Sequence, residues 1–234
     1  MNSPWVVIPT YNEKDNVKRM LERLVALPIE NLTILIVDDS SPDGTGTIVK
    51  EFQQSHPNVQ LLTRPGKYGL GRAYIAGFDY ALTHGASAIV QMDADFSHDP
   101  NDIPRLLSGL EKDDLVIGSR YSHGISVINW PLKRLLISIG GNLYASFITG
   151  LPLKDATGGF KAWRAQTLRD IDLASVKADG YGFQVVMNYR AWKKAKRIRE
   201  VPIIFTERRD GQSKMSKSII WEALWLVWKL RLFG

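Results

Sequence analysis

The sequence predicts an α/β domain: a mostly parallel sheet covered by helices on both sides. Three observations predict it. Short apolar runs rich in β-branched residues alternate with stretches whose apolar residues recur at helical spacing. The runs are apolar throughout rather than every second residue, as strands buried on both faces require. No Pro/Gly/Ser-rich linker, low-complexity tract or internal repeat divides the 234 residues, so the chain reads as one domain with an appended tail.

Trp5-Val6-Val7-Ile8 is the first strand, and Pro9 is expected to end it. Thr10-Tyr11-Asn12-Glu13 is a polar turn in which Asn12 is placed to cap a helix carrying Val17, Leu21, Leu24 and Val25. Leu32 to Val37 is the second strand and ends in Asp38-Asp39; a tight turn from Ser40 to Thr45 then enters a helix with Ile48, Val49 and Phe52. Val59 to Leu62 is a shorter third strand, and Gly66, Gly69 and Gly71 punctuate a loop before a helix over about residues 72–82. Ala86 to Met92 is the fourth strand, Leu106, Leu107 and Leu110 mark another helix, and Leu115 to Gly118 is a fifth strand ending at Ser119-Arg120.

In such sheets a ligand sits beyond the carboxyl ends of the strands. Tyr11, Asn12 and Glu13 follow strand one, Asp38 and Asp39 strand two, Asp93 and Asp95 strand four, and Arg120 strand five. Separate strand ends thus aim polar groups at one crevice. Asp93-Ala94-Asp95 places two carboxylates one residue apart, where they repel unless a positive group lies near. A divalent ion with hard oxygen ligands, Mg²⁺ or Mn²⁺, is one solution; two solvated acids at a strand end are the other. The glycine cluster lacks the third Gly of a dinucleotide fingerprint and the Lys-Ser/Thr of a phosphate loop.

With no Cys, the chain has no disulfide, no thiol nucleophile and no thiolate zinc site, which fits a reducing compartment. His56, His84, His98 and His123 show no ligand spacing and read as surface or turn residues. The N-terminus has no signal-peptide pattern, and no run of 18 apolar residues spans a membrane. Net charge is +6, yet residues 190–217 hold ten Lys/Arg and three Asp/Glu, a local +7. That block suits an anionic partner (phosphate ligand, nucleic acid or lipid surface) or is a solvated face. A nucleic-acid module would leave the carboxylates at the strand ends without a purpose, and no recognition motif is present, so nucleic acid is not an expected partner.

Pro9 to Glu13, Val37 to Thr45, Asp93-Ala94-Asp95, Gly118 to Tyr121 and Thr157 to Lys161 occur in the order found in family 2 glycosyltransferases. Glu200 to Ile203 and Arg208 to Met215 narrow the resemblance to polyprenyl-phosphate (dolichol-phosphate type) mannose synthases. The resemblance covers nearly the whole chain. It implies a GT-A fold, a GDP-mannose donor, a divalent metal and a polyprenyl or dolichyl monophosphate acceptor. Together with the appended tail, the expected division is a GT-A catalytic domain over residues 1–215 and an amphipathic membrane-interface helix over 216–234. It assigns Pro9, Tyr11, Glu13, Val37 and Asp39 to the nucleoside with Asp38 beside them, Ala94 to the nucleotide, and Asp93 and Asp95 to metal and donor. Arg120, Arg208 and Lys214 would contact phosphates and sugar. Ser97 stands where relatives can have a metal-bound Gln, so it would supply the third oxygen directly or through water.

A leaving diphosphate gathers negative charge, which a metal and arginines stabilise, so Asp95, Arg120 and Arg134 are the expected catalytic residues. A phosphate acceptor is already ionised, with a second pKa of about 6 by analogy with phosphoserine, and needs screening rather than a base. Lys133 and Arg134 are expected to hold it; Asp155 either faces the acceptor or caps its turn. Direct attack with inversion is expected. UDP-glucose is the alternative donor, and a sugar-hydroxyl acceptor would demand a general base that no residue clearly supplies.

Two stretches could touch a bilayer. One is Trp130 to Leu151, interrupted at Gly140-Gly141. In the other, Trp221, Trp225, Trp228 and Leu232 fall within about 60° on a helical wheel, opposite an aliphatic face. Trp favours the headgroup level, so a peripheral protein at the cytoplasmic face of a membrane is expected, with a separate membrane-anchoring subunit left open.

Overall fold

The computed structural model describes residues 2–178, 180–207 and 225–232. In chain order the elements are β1 (Pro4–Thr10), α1 (Lys14–Val25), β2 (Thr33–Asp38), α2 (Thr45–Gln53), β3 (Val59–Thr63), α3 (Leu70–Thr83), β4 (Ala88–Gln91), α4 (Ile103–Gly109) and β5 (Leu115–Ser119). There follow β6 (Val127–Ile128), α5 (Leu132–Thr149), β7 (Lys161–Arg164), α6 (Ala165–Asp170), α7 (Gly180–Lys193), β8 (Ile198–Pro202) and β9 (Phe205–Thr206). Residues 225–232 are helical.

The main sheet has seven strands in the order β3-β2-β1-β4-β7-β5-β8. All its pairings are parallel except those of β7, which runs antiparallel between β4 and β5. Alternate residues of each strand serve opposite faces. Trp5 and Val7 of β1 join Phe78 of α3 and Met187 of α7 in one core; Val6 and Ile8 join Leu21 of α1 and Leu106 of α4 in the other. The chain reverses direction of progression at β1, between β2 and β4, so the crevice opens at their carboxyl ends.

Gly77 lets α3 lie close on the sheet: a Cβ there would stand 2.4 Å from Val7 and 2.9 Å from Val37. Val37 is fully buried at this contact.

Several expectations change. Pro9 lies inside β1 rather than ending it, in register with Val37. Val7 O accepts from Met92 N on the β4 side, and Thr10 O from Asp39 N on the β2 side. Pro9 shares the parity of Val7, so its missing N–H falls where pairing with β4 has ended. Asn12 adopts φ 59° in the turn, and Glu13 takes the N-cap position of α1 without a side-chain cap bond. Helix α5 runs unbroken through Gly140 and Gly141, where nothing crowds the backbone. β7 and β8 were not expected as strands.

Candidate active site

A cavity of about 420 Å³ lies at the carboxyl edge of β1, β2, β4 and β5. Pro9, Tyr11, Glu13, Asp39, Asp93, Ala94, Asp95, Ser97, Arg120 and Arg134 all line it. The structure thus brings together side chains that the sequence placed at separate strand ends. Val37, Asp38, Lys133 and Asp155 do not line it, and Arg208 and Lys214 lie outside the described residues.

The acidic loop after β4 is tightly specified. Phe96 adopts φ 60°, a strained value for a bulky side chain and a common mark of functional loops. That turn brings Ser97 back onto Asp95: its backbone N–H and its hydroxyl donate to Oδ1 at 3.1 and 2.6 Å. The Tyr74 hydroxyl donates to Asp93 Oδ1 at 2.7 Å. Burial and the Asp93 carboxylate push this phenol well above its ordinary pKa, so it stays a donor. The Asp93 N–H donates to His98 Nδ1 at 3.2 Å. His98 is not a surface residue: it is 2% exposed and stacked on Phe160, and burial lowers its pKa, so Nδ1 stays an acceptor.

Asp38 and Asp39 have separate duties. Asp38 is buried and accepts from the Thr10 hydroxyl and from the Ser41 N–H and hydroxyl, so it builds the turn and does not line the cavity. Asp39 lines the cavity with Arg64 2.9 Å from its Oδ1, and burial nonetheless raises its pKa. Lys67 stands over the Tyr11 ring at 4.2 Å on the same wall.

On the opposite wall Arg120 is 5% exposed. Its N–H and Nε both donate to Asp155 Oδ2, at 2.9 and 2.8 Å; Nη2 reaches Asp155 Oδ1 at 2.6 Å and Thr157 Oγ1 at 2.9 Å. The expectation that Asp155 faces an acceptor is therefore corrected: it is fully buried, both its oxygens are held by Arg120, and it positions that arginine. The pairing with Asp155 raises the Arg120 pKa despite burial. Arg134 lines the rim, ion-paired with Glu207 and 4.3 Å over the Trp130 ring. Lys133, one residue earlier on α5, is exposed and outside the cavity.

A family model described as Glycosyl transferase family 2 matches residues 5–172. The chain belongs to glycosyl transferase family 2. Within that family it is 49% identical over 219 residues to the undecaprenyl-phosphate mannosyltransferase of Micrococcus luteus, covering 93% of this chain and 89% of that one. It is 45% identical over 230 residues to the polyprenol monophosphomannose synthase of Mycolicibacterium smegmatis, covering 97% and 86%. A mannosyltransferase of Pyrobaculum calidifontis, solved in complex with GDP-mannose and Mn²⁺, superposes with a TM-score of 0.59 at 17% identity over 98% of this chain and 70% of that one. At that identity the likeness speaks for the fold, which is GT-A.

Beneath the cavity, Lys161 is fully buried and its Nζ donates to Gln184 Oε1 at 2.8 Å. Burial lowers its pKa to about 7 from an ordinary 10.5. An unfolded chain therefore binds a proton that the folded chain releases between those values, and stability contributed at this site rises with pH from about 7 to about 10.5. Chemical denaturation at pH 7, 8 and 9 should show wild type gaining on Lys161→Met, by at most about 1.4 kcal/mol per pH unit. A constant difference would contradict a buried, titrating Lys161.

Lys67, Tyr74, His98, Tyr181, Gln184 and Phe205 are site or supporting residues that sequence reasoning missed, and Thr157 and Gly159 were read as part of a family motif without a place in the site. The glycine cluster around Gly69, set aside as a phosphate loop, was the available signal for Lys67. Gln184 and Tyr181 carried none, because nothing in the residues around them sets them apart from their neighbours.

Proposed function

We propose that this chain transfers mannose from GDP-mannose to a polyprenyl or dolichyl monophosphate with inversion. The observation that carries the reading is one cavity lined both by an aspartate pair and by Arg120 and Arg134. The full-length similarity to two enzymes named for mannosyl transfer to polyprenyl phosphates supports mannose over glucose.

Asp93 and Asp95 present hard carboxylate oxygens to the cavity, a donor set that fits Mg²⁺ or Mn²⁺. Among the described residues no group of three or more His, Cys, Asp or Glu could hold a metal alone, so donor phosphates and water would complete the shell. Ser97 Oγ, bonded to Asp95, is placed to steady that carboxylate or add an oxygen. When bound, the ion supplies charge stabilisation at the departing diphosphate.

The protein's own groups do the rest. Tyr11, Glu13, Asp39 and Lys67 form the wall for the nucleoside. Arg120, with Nε and Nη2 held by Asp155 and Thr157, turns its remaining edge to phosphate. Arg134 takes the acceptor phosphate, which displaces Glu207 from it. That phosphate attacks the anomeric carbon directly; no general base is required, and Asp155 is too firmly held to be one.

The chain would reach its acceptor as a peripheral protein at the cytoplasmic face of a membrane. No helix among the described residues is long and apolar enough to cross one. Trp225, Trp228 and Leu232 are 74%, 45% and 66% exposed, whereas Val227 is buried and Leu226 and Leu230 pack on the core. On α5, Leu132, Leu136, Leu143 and Phe147 form a second exposed stripe. Trp225→Ser/Trp228→Ser should lose flotation with anionic liposomes while melting as wild type; unchanged flotation would contradict this anchor.

Label from GDP-mannose, with Mn²⁺ and a short polyprenyl phosphate, should extract into lipid; label from UDP-glucose should not. The opposite pattern would reverse the donor. Arg134→Ala should raise KM for the polyprenyl phosphate by about tenfold to a hundredfold, the worth of a hydrogen bond to a charged group. A larger effect on GDP-mannose would move Arg134 to the donor side.

A further inference from the structure

Behind the acidic loop lies a buried polar chain that the proposed reaction leaves without a role. Gln184 is 4% exposed and lines the cavity from α7. Its Oε1 accepts from Gln91 Nε2 at 2.8 Å and from Lys161 Nζ at 2.8 Å. Gln91 Oε1 in turn accepts from the Trp163 indole at 3.4 Å.

This chain fixes which end of the Gln184 amide faces the cavity. An indole N–H can only donate, so it sets Gln91 with its oxygen toward Trp163 and its NH₂ toward Gln184. Gln184 must meet that NH₂ with its oxygen. Lys161 reinforces the setting from the other side. The Gln184 NH₂ is left as the outward group, and all members are buried, so flipping it would orphan several polar atoms at once.

Gly159 shows where that NH₂ is aimed. A Cβ there would stand 3.6 Å from Gln184 Nε2 and 3.6 Å from Asp93 Oδ2. The missing side chain leaves a niche in the cavity wall beside the acidic loop, with a fixed donor and a carboxylate oxygen on its rim. Such a pair suits a hydroxyl, which accepts from one group and donates to the other.

We propose that Gln184 recognises a hydroxyl of the donor's hexose, with Gln91 and Lys161 as the residues that orient it. The inference rests on the donor-site reading above. A site built to hydrogen-bond a hydroxyl discriminates against a sugar that lacks it or presents it elsewhere, because its own polar groups are then left unpaired.

Equilibrium binding in Mn²⁺ tests this without turnover. Gln184→Glu keeps size and can pair with Lys161, but replaces the NH₂ by an acceptor. It should weaken GDP-mannose about tenfold, the worth of one hydrogen bond. GDP, which has no hexose, should bind as to wild type. Among GDP-deoxymannoses, the one that wild type rejects should be bound by the variant no worse than GDP-mannose. Lys161→Met should weaken GDP-mannose in the same direction, again sparing GDP. Should the glutamate prevent folding, Gln184→Met/Lys161→Met removes the amide and its buried amine partner together and carries the same expectation. Equal weakening of GDP and GDP-mannose would place Gln184 on the diphosphate; no weakening would make the chain a purely structural network. Either overturns the proposal. Failure of wild type itself to bind GDP-mannose would overturn the donor reading and this inference with it.

Discussion

Asp95→Ala is expected to all but abolish mannosyl transfer while leaving the protein folded. Asp95 is one of two carboxylates that face the cavity after β4, and its Oδ1 is the anchor for the Ser97 N–H and hydroxyl. Removing it halves the hard-oxygen set and frees the loop that the Phe96 turn holds in place. Charge stabilisation by a bound metal is worth several kcal/mol, so kcat should fall by about a thousandfold or more. Stability should fall by about 1–3 kcal/mol without metal, because the buried Ser97 donors lose their acceptor, offset in part by the loss of one of two neighbouring like charges. Initial rates at saturating Mn²⁺, paired with a thermal melt, check both halves. A rate within tenfold of wild type in a folded variant would remove Asp95 from the metal site.

Asp155→Ala is expected to be the most destabilising single change in the site. Its carboxylate is fully buried and receives three hydrogen bonds from Arg120, while its own N–H donates to Glu200 Oε1 at 2.8 Å. Truncation leaves the Arg120 guanidinium buried without its counter-charge, which costs about 3–5 kcal/mol. Asp155→Asn keeps the shape and should cost less, yet still lower kcat, because Arg120 loses its two-pronged support. Urea denaturation reads the first effect, and kinetics with both substrates the second. An Asp155→Asn variant of wild-type stability, impaired only in KM for the polyprenyl phosphate, would return Asp155 to the acceptor site.

The first half of the fold was legible because its strands are uninterrupted apolar runs ending in polar turns. Trp5 to Ile8, Thr33 to Val37 and Leu115 to Gly118 all lie in strands of the main sheet, with Leu32 just before the second of them. The sequence hid β7, whose Lys161-Ala-Trp-Arg reads as polar; Lys161 is buried only because Gln184 receives it, a pairing 23 residues away. It hid β8 because an edge strand needs no fully apolar run: Arg199 is exposed while Val201 is half-buried.

The site divides along the same line. Tyr11, Asp39 and Arg120 directly follow a strand and Asp93 and Asp95 lie within four residues of one, so they could be read, and parallel topology sends those positions to one edge. Residues that act through partners could not. Asp155 reads as a turn residue until Arg120 is beside it, His98 as a surface histidine until Phe160 covers it, and Arg134 gives no sign of Glu207. Each depends on contacts between residues far apart in the chain, which local spacing does not encode.

In the proposed reaction an ionised lipid phosphate attacks the mannose of GDP-mannose directly within this cavity, and GDP departs. The most direct test is the anomeric configuration of the product. GDP-mannose carries its sugar in the α configuration, so a single direct displacement gives β-linked polyprenyl-phosphate mannose. Isolation of that β-anomer, made by wild type and absent with Asp95→Ala, is the predicted result. An α-linked product, or no mannosyl lipid at all, would contradict it.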